Sequence, residues 1–180
     1  MTTAGLVLAA GAGTRYGGPK APVVVDGERL VDRAVRIMRA GGCDPIVVVL
    51  GAWFGDVDGA VVVENPHWAD GMGSSLRAGL AHLQEHVPDD VNAVLVTLVD
   101  LPGLTPEAVQ RVRAADGIAV AAYDGERGHP VRFPRGHWAA VMQAAQGDAG
   151  ARGFLRGRDD ITLVEVADVA DGADLDVPRA

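Results

Sequence analysis

Near the start of the chain an apolar run opens into a glycine-rich loop, and this junction limits the possible folds more than any other stretch. Residues 6–20 read Leu-Val-Leu-Ala-Ala-Gly-Ala-Gly-Thr-Arg-Tyr-Gly-Gly-Pro-Lys. The apolar residues 6–10 predict a short buried strand. Gly11, Gly13, Gly17 and Gly18 follow, so the backbone after the strand can approach a ligand without Cβ interference. Arg15 and Lys20 are the only charges in the stretch, and both are cationic. A first strand that ends in such a loop suits the polyphosphate of a nucleotide.

Two common phosphate loops do not fit. The dinucleotide fingerprint Gly-x-Gly-x-x-Gly would need its third glycine at Tyr16, one place earlier than it falls. The P-loop needs Gly-Lys-Ser/Thr, whereas Gly18 precedes Pro19 and Lys20 precedes Ala21. Pro19 also keeps a helix from running straight through the loop, because the residue before a proline avoids the α region.

The stretch resembles instead the signature Leu-Ala-Ala-Gly-x-x-x-Arg-Φ-Gly-x-x-Lys, Φ being Met or Phe, of nucleotidyltransferases with the nucleotide-diphospho-sugar transferase fold. Gly11, Arg15, Gly17 and Lys20 fall in register, and Tyr16 takes the Φ position. The Ala9-Ala10-Gly11 form looks like the cytidylyl branch, whereas guanylyl members usually show Ala-Gly-Gly. The likeness is to the MobA-like NTP transferase family, and within it to the molybdenum cofactor cytidylyltransferases. It extends along nearly the whole chain, from Gly5 to Pro178.

Bulk properties agree with one α/β domain over residues 1–180. Hydrophobic residues make up 48% and aromatics only 4%, so the core must be built from Val, Ala and Leu. Aliphatic runs of that kind suit a parallel sheet covered on both faces. The net charge of −8 argues against nucleic acid or an anionic membrane surface as partner, and requires cations gathered locally at any nucleotide site. Cys43 is the only cysteine, so no internal disulfide forms; with no signal-like segment, a cytoplasmic location is expected.

Residues 22–25 predict an extended piece and Asp26-Gly27 a turn. Leu30, Ala34 and Met38 define a helix face that Gly41 and Gly42 close. Residues 46–50 and 61–63 predict strands, joined by a loop whose Trp53 and Phe54 should bury. A further helix begins at Ser74 or Ser75 as N-cap, with Leu76, Leu80 and Leu83 inward. Residues 93–99 are the clearest central strand. Thr105-Pro106-Glu107 opens another helix, with Thr as cap and Pro in the first turn. Strands at 118–123 and 129–133 flank a turn at 124–128; a helix at 137–145, a glycine-rich turn at 147–153 and a strand at 161–166 follow. The order predicts a three-layer α/β/α sandwich with a mostly parallel, Rossmann-like sheet and right-handed crossovers.

Asp100 stands at the carboxyl end of the central strand, where open α/β sheets bind ligands, and is expected to face solvent there. The resemblance implies that it holds a catalytic Mg²⁺. Mg²⁺ takes oxygen ligands and commonly one or two carboxylates with phosphates and water. Asp174-Leu-Asp176-Val-Pro178 resembles the Asp-x-Asp-Thr-Pro-x-Asp ending of the cytidylyl members, implying Asp176 as second metal ligand, although Val177 replaces the Thr. The same resemblance implies Arg15, Lys20 and Asp100 as catalytic residues. Leu8, Ala9, Ala10, Gly11, Ala12 and Gly13, with Arg15, Lys20, Gly71, Ser75 and Asp100, would contact the nucleotide. Arg127 and His129 of the Arg-Gly-His-Pro segment would contact the acceptor. Gly147-Asp-Ala-Gly-Ala-Arg152 resembles a Gly-Asp-x-Gly-Ala-Arg turn of the same branch, and Asp148 and Arg152 are equally spaced for a local ion pair.

The expected activity is transfer of CMP from CTP to a phosphorylated acceptor of the molybdopterin type, with Mg²⁺ and release of pyrophosphate. Transfer of GMP, transfer of CMP to another metabolite such as methylerythritol phosphate, and glycosyl transfer on the same architecture stay open. No Ser-His-Asp, Cys-His or zinc spacing points elsewhere.

Overall fold

In the computed structural model, which describes residues 2–176, a seven-stranded sheet carries helices on both faces. Along the chain come β1 (Thr2–Leu8), β2 (Val24–Val25), β3 (Glu28–Arg29), α1 (Leu30–Ala40), β4 (Ile46–Leu50), β5 (Val61–Glu64) and α2 (Met72–His86). After them come β6 (Val91–Leu98), α3 (Pro106–Ala114), β7 (Ile118–Tyr123), β8 (Glu126–Pro134), α4 (Trp138–Ala144), α5 (Arg152–Leu155) and β9 (Ile161–Glu165). The sheet order is β5-β4-β1-β6-β8-β7-β9, and β8 alone runs antiparallel to its neighbours. β2 and β3 form a separate two-residue ribbon turned at Asp26-Gly27, both with positive φ.

Strand alternation sorts the core into two layers. Val7, Val48, Leu50, Leu95, Ala119 and Ala121 face α1 and α3. Leu6, Val47, Val49, Val94, Val96, Val120 and Phe133 face α2 and α4. Both faces of β1, β4 and β6 are buried, so these strands read as unbroken apolar runs rather than alternating ones. The expected three-layer, mostly parallel sandwich is what the chain forms.

Several details differ from expectation. β1 ends at Leu8, so Ala9 and Ala10 belong to the loop rather than the strand. α2 starts at Met72 on Gly71, with no side-chain cap; Ser74 and Ser75 lie inside its first turns. The 124–128 turn shrinks to Asp124-Gly125, because β8 begins at Glu126. Phe54 does not bury: it is 55% exposed. The Thr105 cap forms as expected, its Oγ1 accepting the Ala108 N–H at 3.2 Å. Met1 and residues 177–180, and with them Val177 and Pro178, lie outside the described residues.

Candidate functional site

The carboxyl ends of β1 and β6 lie side by side, paired from Thr2–Val91 to Leu8–Leu98, and the chain continues past both into one cleft. Beyond β1 the backbone doubles back on itself. Gly17 and Gly18 both donate to the carbonyl of Gly13, at 2.9 and 3.1 Å. Gly13 has φ +59, and a Cβ there would lie 1.9 Å from Gly18 O, so only glycine fits the pinch. The N–H groups of Gly11, Ala12 and Gly13 donate to no other backbone carbonyl among the described residues. They form an amide-rich rim of the kind that binds anions.

The pinch turns Lys20 toward the end of β6. Its Nζ lies 2.7 Å from Asp100 Oδ2 and 3.6 Å from Asp176 Oδ1. The Lys20 and Asp100 side chains are only 13% and 17% exposed, so Asp100 is sheltered rather than solvent-facing as expected. Arg15, 84% exposed, reaches Asp176 at 3.9 Å from the mouth of the site. A pair this exposed contributes little to stability.

Asp176 arrives by a different route. The segment after β9 runs back over the loop that follows β6, through bonds from Asp171 N to Gly103 O at 3.1 Å and from Leu175 N to Asp100 O at 2.9 Å. The Leu175 side chain buries to 5% exposure in the α1/α3 layer. On the other side of that loop, Arg33 of α1 holds Pro102 O with Nε and Nη2, at 3.1 and 2.8 Å.

The cleft encloses about 360 Å³. Of the residues expected at the nucleotide, Leu8, Ala9, Ala10, Gly11, Ala12, Gly13, Lys20, Gly71, Ser75 and Asp100 line it, and Arg15 does not. Trp68, Ala69 and Asp148 also line it, and sequence reasoning had not placed them there; Met72, between Gly71 and Ser75 in the segment expected at the nucleotide, lines it too. Trp68 and Ala69 belong to a single 3₁₀ turn, Trp68–Asp70, leading into α2. The Gly-Asp-x-Gly-Ala-Arg turn was the available signal for Asp148. Arg152 does not pair with that carboxylate; it donates to the carbonyls of Asp148 and Ala149, at 3.1 and 3.3 Å.

Arg127 and His129 do not line the cleft. Arg127 is exposed on β8, beside the Asp124-Gly125 turn. His129 is half-buried; desolvation pushes its imidazole down to about 4, with Asp100 opposing and Arg152 reinforcing the shift. The ring is therefore neutral at pH 7, able to share a hydrogen bond but not to bring a positive charge to a phosphate. Tyr123 donates to the His129 carbonyl at 2.7 Å, and burial pushes its own phenol up to about 12. Burial likewise raises the Cys43 thiol to about 12, which leaves it unreactive.

Two carboxylates drawn onto one ammonium, beside an amide-rich loop, form an oxygen donor set suited to a hard divalent cation. Among the described residues no cluster of three or more His, Cys, Asp or Glu could hold a metal by itself, so substrate oxygens and water would complete such a shell.

Comparison with known proteins agrees with this geometry. The family model for the MobA-like NTP transferase domain matches residues 5–163. Nicotine blue oxidoreductase of Paenarthrobacter nicotinovorans is 38% identical over 96% of this chain and 91% of its own. The bifunctional IPC transferase and DIPP synthase of Rubrobacter xylanophilus is 39% identical over 66% of this chain, but only 28% of its own length is matched. The crystal structure of Rv0371c from Mycobacterium tuberculosis H37Rv superposes with TM-score 0.79 at 26% identity, covering 98% of this chain and 94% of that one. A second structure of Rv0371c, in complex with manganese, gives TM-score 0.72 at 26% identity over 99% and 91% of the two chains.

Proposed function

The chain belongs to the MobA-like NTP transferase family, and from that premise we propose that it transfers CMP from CTP to a phosphorylated small molecule, a molybdopterin-type cofactor in first place. The observation that carries this reading is the Lys20 ammonium shared by Asp100 and Asp176 beneath the amide rim of the loop. A triphosphate entering there meets unpaired N–H donors and a sheltered lysine, in a protein that is otherwise strongly acidic.

In the proposed step an oxygen of the acceptor phosphate attacks the α-phosphorus of CTP. A new phosphoanhydride bond forms to CMP, the α–β anhydride bond breaks, and pyrophosphate leaves with its electron pair. Such transfers depend on positioning and charge neutralisation rather than on a covalent protein nucleophile. Lys20 offsets charge on the phosphates in a water-poor setting, the loop amides orient them, and exposed Arg15 draws the anion toward the mouth. Asp100 and Asp176 would hold a divalent cation, Mg²⁺ in the cell, whose chemistry is to polarise phosphoryl oxygens. The manganese bound by Rv0371c supports a cation in this fold. Arg127 and His129 stand away from the cleft lining and remain proposals for the acceptor side only.

The relative named an oxidoreductase, 38% identical over 96% of the chain, favours one second reading. In it the same rim would bind the pyrophosphate of a reduced nicotinamide dinucleotide that donates hydride to an organic acceptor. One experiment separates the two. Pyrophosphate release is screened with the four NTPs, Mg²⁺ and phosphorylated acceptors, alongside loss of NADH or NADPH absorbance with quinonoid acceptors. Pyrophosphate release abolished by Asp100→Asn supports transfer; dinucleotide oxidation without it supports the second reading.

A further inference from the structure

Lys20 stands where the carboxylate pair and the amide rim meet. Its ammonium lies 2.7 Å from Asp100 Oδ2 and 3.6 Å from Asp176 Oδ1, while Arg15 lies 3.9 Å from the other oxygen of Asp176. Two carboxylates thus face two cations, and the cluster balances without any further ion. Among the described residues Lys20 bonds no backbone carbonyl and no side chain other than these, so the carboxylates alone hold its ammonium in place. The contacts differ in shelter. Lys20 and Asp100 are largely withdrawn from water, Asp176 is half-exposed and Arg15 is exposed. Only at the Lys20–Asp100 contact is charge little screened.

The same side chain borders the rim. Lys20 lines the cleft together with Gly11, Ala12 and Gly13. A Cβ built on Gly13 would lie 3.5 Å from Lys20 Cγ, so the stem of the lysine runs past the pinch in the loop. Beyond that point the chain is flexible, and the ammonium at its end is a compact point charge. Rotation about these bonds takes it from the carboxylates to an anion on the rim, and one ammonium cannot serve both in full. A divalent cation meets Lys20 at the same oxygen. Such an ion takes carboxylate oxygens at about 2.0–2.6 Å, and Asp100 Oδ2 already accepts from the ammonium. Metal and ammonium on that oxygen would be neighbouring cations in a sheltered place, where they repel strongly.

We propose that Lys20 is the resident counter-ion of the Asp100–Asp176 pair: it blocks a free divalent cation, and a triphosphate that draws the ammonium away opens the carboxylates to metal. This inference rests on the nucleotidyltransferase reading above and adds an order of events to it. A cation arriving alone finds its oxygens taken. A triphosphate arriving at the rim offers Lys20 new partners, and the carboxylates it leaves then carry uncompensated negative charge. Triphosphate and cation therefore bind with positive coupling, and by linkage each strengthens the other by the same factor.

The test reads binding rather than turnover, on the full chain. Mn²⁺ affinity is measured by electron paramagnetic resonance, with Asp100→Asn as the background for ions bound elsewhere. CTP affinity is measured by titration calorimetry in the presence of a chelator. Lys20→Met should bind Mn²⁺ alone about tenfold or more tighter than the parent, and metal-free CTP about tenfold weaker. Opposite signs in one variant are the expected signature, whereas a merely structural Lys20 would weaken both. Arg15→Ala removes an equal charge from the exposed side and should change Mn²⁺ binding by about twofold or less. A change as large as that in Lys20→Met would reduce the effect to general electrostatics and overturn the blocking role. Asp100→Asn frees the ammonium and should bind metal-free CTP about fivefold tighter. Should Lys20→Met fail to fold, Lys20→Gln and Asp100→Asn decide. Mn²⁺ affinity unchanged or lowered without the ammonium, or CTP affinity not raised in Asp100→Asn, overturns the proposal. A parent that binds no triphosphate, with or without metal, sinks the nucleotidyltransferase reading instead and takes the release step with it.

Discussion

The two halves of the sheet reach the cleft by different means. β5, β4, β1 and β6 form an all-parallel block, and its contribution comes straight off strand ends: the loop after β1 carries Lys20, and β6 leads directly to Asp100. β8, β7 and β9 form a block interrupted by an antiparallel strand, and its contributions are carried in on returning segments. Asp148 sits on a 3₁₀ turn laid across α2, and Asp176 on a strap stitched to the loop after β6. Strand ends in a parallel sheet are held by buried ladders on both sides. A returning segment is held only by its own few contacts, so it is the part that can let go at modest cost. In the proposed reaction the first block would handle the phosphates, and the second would bring Asp176 in to close the cation site.

The largest expected effect lies in the parallel block. Asp100→Asn should lower turnover by about 10³-fold or more, with the thermal midpoint nearly unchanged because Lys20 keeps Asp176 at 3.6 Å. Steady-state pyrophosphate release and a melting curve test both halves of that statement; wild-type turnover with Mg²⁺ would remove Asp100 from the site.

Lys20→Ala comes next. A sheltered ammonium that acts on the developing charge should affect the maximal rate more than CTP binding, by about 10²–10³. An unchanged rate at saturating CTP would assign Lys20 to binding alone.

The strap should respond differently, and Leu175→Ala makes the contrast measurable. Truncating this buried anchor should favour release of the strap by about 2 kcal/mol, leaving the block of β1, β4, β5 and β6 intact. The expected signature is a divalent-cation requirement raised about tenfold, with the rate recovered at high Mg²⁺. Global unfolding, or a rate that Mg²⁺ cannot recover, would show that the two blocks are not separable in this way.

The smallest effect concerns His129 on β8. Its imidazole is held at about 4 against an ordinary 6.5, so the unfolded chain binds more protons between those values. Stability should therefore fall as pH drops from 6.5 toward 4, by about 1 kcal/mol once its partial exposure is allowed for. His129→Gln should flatten that limb of the stability profile. Identical profiles for the two proteins would mean that the ring is not desolvated.

How much of this was legible beforehand follows the same division. The continuous apolar runs of β1, β4 and β6 and the glycine-rich loop marked the parallel block, its layers and its strand-end residues, because burial on both faces writes itself into the sequence as an unbroken run. The Thr105 cap was equally readable, being a local hydrogen bond. The α2 start was not: Ser74 and Ser75 look like caps, yet Asn65 draws both into a buried network inside the helix. Phe54 was expected inside by its chemistry, and packing left it at the surface.

By itself, then, the sequence determined the family, the sandwich, and the residues that local pattern places at the ends of β1 and β6. Tertiary structure alone decided which side chains meet. Lys20 bonds Asp100 across 80 positions, Arg77 reaches Ala145 across 68, and Leu175, in the segment beyond β9, bonds the Asp100 carbonyl and so seats Asp176. Local propensity acts over a few neighbouring residues, whereas these contacts depend on how separate elements pack. Their geometry therefore comes into existence only when the core closes.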